Sequence, residues 1–147
     1  MFFAGLFILV GVLEEKGVIA WIAHHIFLGA GDNPYTAVLL VLWSAGIISG
    51  FLDNIPFTIT MIPIVQIMLE NNPIPNNILW WALSLGACLG GNITMIGASA
   101  NIVSVGISKK YGVDISFIEF MKTGMIISFI SLTLSSLFLV GYLWIVL

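Results

Sequence analysis

Charge is scarce in this sequence. Of 147 residues only 7% are charged: four lysines, no arginine and seven acids. A soluble domain carries about 25% charged residues because its surface faces water. So few charges cannot coat a globule of this size, which excludes a soluble enzyme. The missing basic face excludes a nucleic-acid binder. Cys88 is the only cysteine, so no disulfide framework is encoded. What is abundant is apolar: 60% of residues are hydrophobic, with a mean hydropathy of +1.15. A membrane β-barrel would alternate apolar and polar residues. The runs here are continuous, so the expected class is an all-α integral membrane protein.

A spanning helix needs about 20 apolar residues, and 10–14 point to a re-entrant or interfacial piece. Residues 1–13 are too short to span and read as a truncated transmembrane helix, with sequence expected upstream. Residues 17–31, bracketed by Glu14-Glu15-Lys16 and Asp32, suit an interfacial helix with Trp21 at headgroup level. A transmembrane helix is expected over 35–49. It runs into 50–70, apolar overall yet holding Asp53, Asn54, Pro56 and Pro63. Two prolines argue against one undisturbed helix. A re-entrant hairpin with Asp53–Pro56 near its tip is expected, followed by a loop over 71–77. Residues 78–107 carry no charge, but Gly90, Gly91, Asn92, Gly97 and Asn101 interrupt them. Glycine is a poor helix former and Asn competes for backbone hydrogen bonds, so a broken transmembrane helix is expected. Ser116-Phe117-Ile118-Glu119 has capping-box form and opens a second interfacial helix over 112–122. A last transmembrane helix fills 123–147. With 50–70 re-entrant, all four lysines fall on one face, which the positive-inside rule makes cytoplasmic.

Asp53 is the one acid inside a long apolar stretch, with no Lys or Arg near it in sequence. An intramembrane carboxylate marks an ion or proton path by default. Its structural alternative is a hairpin cap accepting backbone amides. Asn54 and Thr58 add neutral oxygens beside it. Thr58 and Thr60 alternatively bond back to the preceding turn. A second cluster comprises Gly90, Gly91, Asn92, Thr94, Gly97, Ser99 and Asn101. Irregular backbone at membrane depth survives only against protein or a water-filled cavity, so the break itself suggests a site. Close packing through small residues is the alternative. His24-His25 lack ligand spacing, and Cys88 reads as a packing residue.

Asp53-Asn54-Ile55-Pro56-Phe57-Thr58-Ile59-Thr60-Met61-Ile62-Pro63 and Gly86–Asn101, followed by Ile115-Ser116-Phe117-Ile118-Glu119-Phe120, resemble the arsenite permease/NhaD/P-protein branch of the citrate-transporter-like ion transporter superfamily. The P-protein-like subgroup is the most similar, and the match is to the C-terminal half. The resemblance implies one inverted-repeat half of a secondary transporter, with hairpin tip and broken helix meeting at the midplane. It implies a substrate or ion site at Asp53, Asn54, Thr58, Gly91, Asn92, Thr94, Gly97, Ser99 and Asn101. Na⁺ would sit at Asp53, Asn54 and Asn101. Related dicarboxylate transporters have Ser-Asn-Thr at the tip, so Asn54 is shared and Asp53 departs. Gly97-Ala98-Ser99-Ala100-Asn101 replaces their Gly-Thr-Pro-Pro-Asn, which argues against a dicarboxylate.

The function expected is an ion-coupled secondary active transporter, a permease or antiporter, moving a small ion. No cofactor beyond Na⁺ or H⁺ as coupling ion is expected. The expected partners are the lipid bilayer, the missing N-terminal half and a second copy of the full transporter; nucleic acid is not one. The expected location is the plasma (inner) membrane. The competing functions are a channel or pore-forming subunit and a non-transporting subunit of a membrane complex. An intramembrane hydrolase is weakest, since Ser99 has no histidine at its depth.

Overall fold

The structure, a computed structural model, describes residues 33–71, 74 and 77–147, together with positions 8, 12, 15–18, 21, 25 and 29. Most of the 1–13 and 17–31 segments therefore lies outside the described residues. Five helices account for most of the rest, and no strand occurs among the described residues.

Helix α1 runs from Pro34 to Ser49. Asn33 caps it, its side chain accepting from the Tyr35 N–H at 3.0 Å, and Pro34 takes a first-turn position whose missing N–H costs nothing. A turn over 50–53 leads into α2, Asn54–Asn71. Helix α3 is Ile78–Gly90, followed by eight non-helical residues and then α4, Ser99–Lys110. Helix α5 runs unbroken from Phe117 to Val146. Its start is the capping box: Ser116 Oγ accepts from the Glu119 N–H, and a Glu119 carboxylate oxygen accepts from the Ser116 N–H at 3.0 Å.

The most extensive helix contact joins α1 and α3. It is made by small residues in parallel register. Gly86 lies against the Leu42 carbonyl, Gly90 against Gly46, and Thr94 bonds to Gly50. Each pair is 44 residues apart, so the two helices run in the same direction. Glycine is required here, because a Cβ on Gly90 would collide with the Gly46 backbone. Small residues of this kind let helix backbones approach closely where lipid supplies no hydrophobic drive between helices. Helix α5 runs antiparallel to α3. Gly124 meets the Asn92 and Ile93 carbonyls, Ser128 bonds to Leu89, and Ser136 bonds to Trp43. Helix α2 returns antiparallel to α1 and buries Phe57, Met61, Ile64, Val65 and Met68 in the shared core. Helix α4 buries no residue.

Only α5 is long and apolar enough to cross a membrane among the described residues. At 1.5 Å per residue, α1 and α3 reach about 24 Å and about 20 Å, short of a hydrocarbon core of about 30 Å. The outer face of α5 exposes Ile126, Phe129, Leu134, Leu137 and Phe138.

Three expected boundaries change. Residues 50–70 do not form a two-legged hairpin by themselves: the legs are α1 and α2, with the tip at 50–53. Residues 35–49 form the helix expected there, α1, and pack antiparallel to α2. Pro56 and Pro63 do not split this segment. Pro56 falls in the first turn of α2, where no intrahelical donor is lost, and Pro63 sits inside the helix with one hydrogen bond missing. Nor is 112–122 a separate interfacial helix. Past the cap nothing interrupts α5, since its only early weak point, Gly124, is what lets it reach the α3–α4 break.

Candidate functional site

Both chain interruptions, 50–53 and 91–98, come together, and three cross-links hold them. The Thr94 hydroxyl donates to the Gly50 carbonyl at 2.5 Å. The Asn54 N–H donates to the Gly97 carbonyl at 3.1 Å. The Ser99 N–H donates to Asp53 Oδ2 at 3.0 Å. The packing is tight: the Gly97 Cα–H side faces the Gly91, Ser49 and Gly50 carbonyls, where a Cβ would stand 2.6–2.9 Å from each oxygen.

Asp53 occupies a particular position. Its other oxygen, Oδ1, accepts from the Ile55 N–H at 3.1 Å. One carboxylate thus caps the N-termini of both α2 and α4. Helix N-termini carry unpaired N–H groups and partial positive charge, so an anion is stabilised there. The capping alternative weighed for Asp53 is realised, but it does not exhaust the group. A carboxylate offers about four lone-pair sites, and the two N–H bonds occupy two of them.

The remaining sequence candidates fall into two groups. Thr94, Gly97, Gly91 and Asn101 organise the break. Thr94 is buried, and besides donating to Gly50 its hydroxyl accepts from the Gly97 N–H at 3.1 Å. The Asn101 amide nitrogen donates to the Gly91 and Thr94 carbonyls at 2.9 and 3.1 Å. Its amide oxygen is left for another partner. Among the described residues no backbone N–H reaches the carbonyls of Asn92, Ile93, Met95 or Ile96, so the break also presents main-chain oxygens. Ser99 is exposed and contributes its N–H. The alternative weighed for the threonines is seen: the Thr58 hydroxyl donates back to the Asn54 carbonyl at 2.7 Å and that of Thr60 to the Pro56 carbonyl at 3.0 Å, which leaves their oxygen lone pairs available. Asn92 is exposed, with a long 3.4 Å bond to the Cys88 carbonyl.

Two partners escaped the sequence analysis. The Ser49 hydroxyl donates to the Ala87 carbonyl at 2.8 Å, and that of Ser128 to the Leu89 carbonyl at 2.9 Å. Both satisfy carbonyls in the last turn of α3, where the helix ends and orphaned acceptors begin. Their helical spacing from the small-residue stripes was the available signal. No buried side-chain polar atom lacks a partner among the described residues. Nor do any three His, Cys, Asp or Glu side chains there cluster to hold a metal.

Two short helices capped by one carboxylate, beside a break rich in carbonyls, define a discontinuous-helix membrane protein. The comparisons agree: the citrate transporter family model matches residues 1–86, and the chain belongs to that family. It is a family of membrane transporters and not of enzymes. The chain is similar to a 46 kDa membrane protein of Mycobacterium leprae, 42% identical over 98% of this chain and 33% of the relative. It is 41% identical to an uncharacterised transporter of Mycobacterium tuberculosis over the same shares. It is 39% identical to the human P protein, over 95% of this chain and 17% of that protein. The chain thus spans about a third of the mycobacterial relatives' length. No solved structure matches it.

Proposed function

We propose that this chain is one half of an ion-coupled secondary transporter, and that the joined breaks hold the coupling cation, Na⁺ or H⁺. The observation that carries this is Asp53, a carboxylate with spare lone pairs and no basic side chain bonded to it, at the meeting point of two interrupted helices. Hard cations take oxygen ligands. The junction supplies Asp53, the Asn101 amide oxygen and the main-chain oxygens of the break, while the Asn54 and Gly97 backbones hold the two parts together. Discontinuous helices in transporters use freed carbonyls in this way.

The family description names citrate, but a polyanion finds little here. No Lys or Arg lies between Lys16 and Lys109 in the sequence, and the positive ends of α2 and α4 are already taken by Asp53. A small ion suits the junction better. Helices α1, α2 and α3, each shorter than the hydrocarbon core, enter from one side as a re-entrant unit and end at the junction, while α4 continues to the side of Lys109 and Lys110. That side is the cytoplasm by its lysines, in a plasma (inner) membrane. The opposing half would lie within the part of the relatives that this chain does not cover.

The test is transport by the full-length protein in proteoliposomes with Na⁺ and pH varied separately. Asp53→Asn abolishes coupling while membrane insertion stays intact. Unchanged counter-ion dependence in this variant overturns the assignment.

A further inference from the structure

A polar groove lies beside the break, and Asp53 is not among the residues that line it. It is an open groove of about 730 Å³ between the break and the start of α5, lined by the polar residues Asn92, Glu119 and Thr123 and the apolar residues Ile115, Phe120 and Ile127. Glu119, Phe120, Thr123, Gly124 and Ile127 form one face of α5, spaced i, i+1, i+4, i+5, i+8. Lys122, three residues on, is close enough to act electrostatically on Glu119 but does not line the cavity, whose lining holds one carboxylate and no basic side chain.

The capping box accounts for only half of the Glu119 carboxylate. Oε2 takes both the Ser116 N–H and the Ser116 hydroxyl, at 3.0 and 2.8 Å. Oε1 has no partner among the described residues. Gly124, on the same wall, lies against the Asn92 and Ile93 carbonyls, which belong to the break itself. The cavity therefore joins the exposed Glu119 at the start of α5 to the break at Asn92.

We propose that this cavity is the cytoplasmic vestibule through which a small hydrated cation reaches the break, with Glu119 setting its charge preference. This rests on the transport function proposed above and extends it to the route of entry. An exposed carboxylate at the mouth of a groove with apolar walls raises the local cation concentration and disfavours anions.

The experiment needs no transport step. The full-length transporter, with Cys88→Ala and any other cysteine removed, carries Thr123→Cys. It is reacted in oriented vesicles with cationic and anionic methanethiosulfonates, each rate normalised to a free thiol. From the lysine-rich side the cationic reagent is expected to react about tenfold faster, within the range of electrostatic steering. Glu119→Gln removes most of that preference. Gln still serves the third helical position of a capping box, so the fold is retained, and circular dichroism of the variant checks this. Equal normalised rates, a preference that survives Glu119→Gln, or no labelling from the lysine side each overturn the vestibule. Failure of the coupling function instead shows in Asp53→Asn, which leaves this labelling pattern untouched.

Discussion

The two interruptions differ in how they are encoded. The break between α1 and α2 takes four residues and reverses the chain; the break between α3 and α4 takes eight. The short one is largely local. Asp53 caps the helix two residues on, and Pro56 occupies a first-turn position that needs no donor. The long one leans on distant groups: Thr94 on Gly50, Gly97 on Asn54, and the Ser99 N–H on Asp53. A hairpin tip can be written into a few consecutive residues. An unwound segment needs a second surface to satisfy its backbone, because lipid offers it no hydrogen-bond partner. The dependence is therefore asymmetric, with the long break resting on the short one.

The largest blow to this arrangement falls on the seam beneath both breaks. Gly90→Val pushes a branched side chain into the Gly46 backbone and is expected to destabilise the fold by about 3 kcal/mol or more, at the upper end of overpacking. Loss of monodisperse protein in detergent, or a lowered midpoint in denaturant titration, reads it. A wild-type midpoint would show that α1 and α3 do not pack in this register.

Thr94→Val is next. It keeps the volume but leaves the Gly50 carbonyl without its buried donor, costing about 1–3 kcal/mol. Thr94→Ser recovers most of this. A double-mutant cycle between Thr94→Val and Asp53→Ala sharpens the comparison: each removes one tie between the breaks. A coupling energy above about 0.5 kcal/mol is expected, and simple additivity would mean the ties act independently.

The smallest effect belongs to Thr60→Val. Its hydroxyl only bonds back within α2, so stability changes by less than about 0.5 kcal/mol and coupled transport is unaltered. A loss of coupling there would move the site along α2, away from the junction.

Much of the local framework was legible in the residues. The helix start at Ser116–Glu119, the interruption after Gly90 and the turn before Asn54 each follow from short-range chemistry: a reciprocal cap, glycine and asparagine against helix propensity, and an acid positioned to accept two residues on. The candidate junction was legible in part. Asp53, Gly97, Ser99 and Asn101 do come together, whereas Thr58 bonds back locally and Asn92 lines the groove beside the break. A threonine within helical reach of its own backbone carries the same sequence signature whether it serves a ligand or the preceding turn.

The division between sequence and tertiary structure follows from range. Composition alone determined a membrane protein, since so few charges cannot solvate a surface. Local hydrogen-bonding preference determined where helices begin and stop. Only the tertiary structure decided that α1 and α2 are the two legs of the hairpin and that α1 and α3 lie parallel 44 residues apart. It also decided that one carboxylate serves two helices. Those outcomes depend on which glycine meets which carbonyl across the bundle, and a glycine in the sequence carries no mark of the backbone that will approach it.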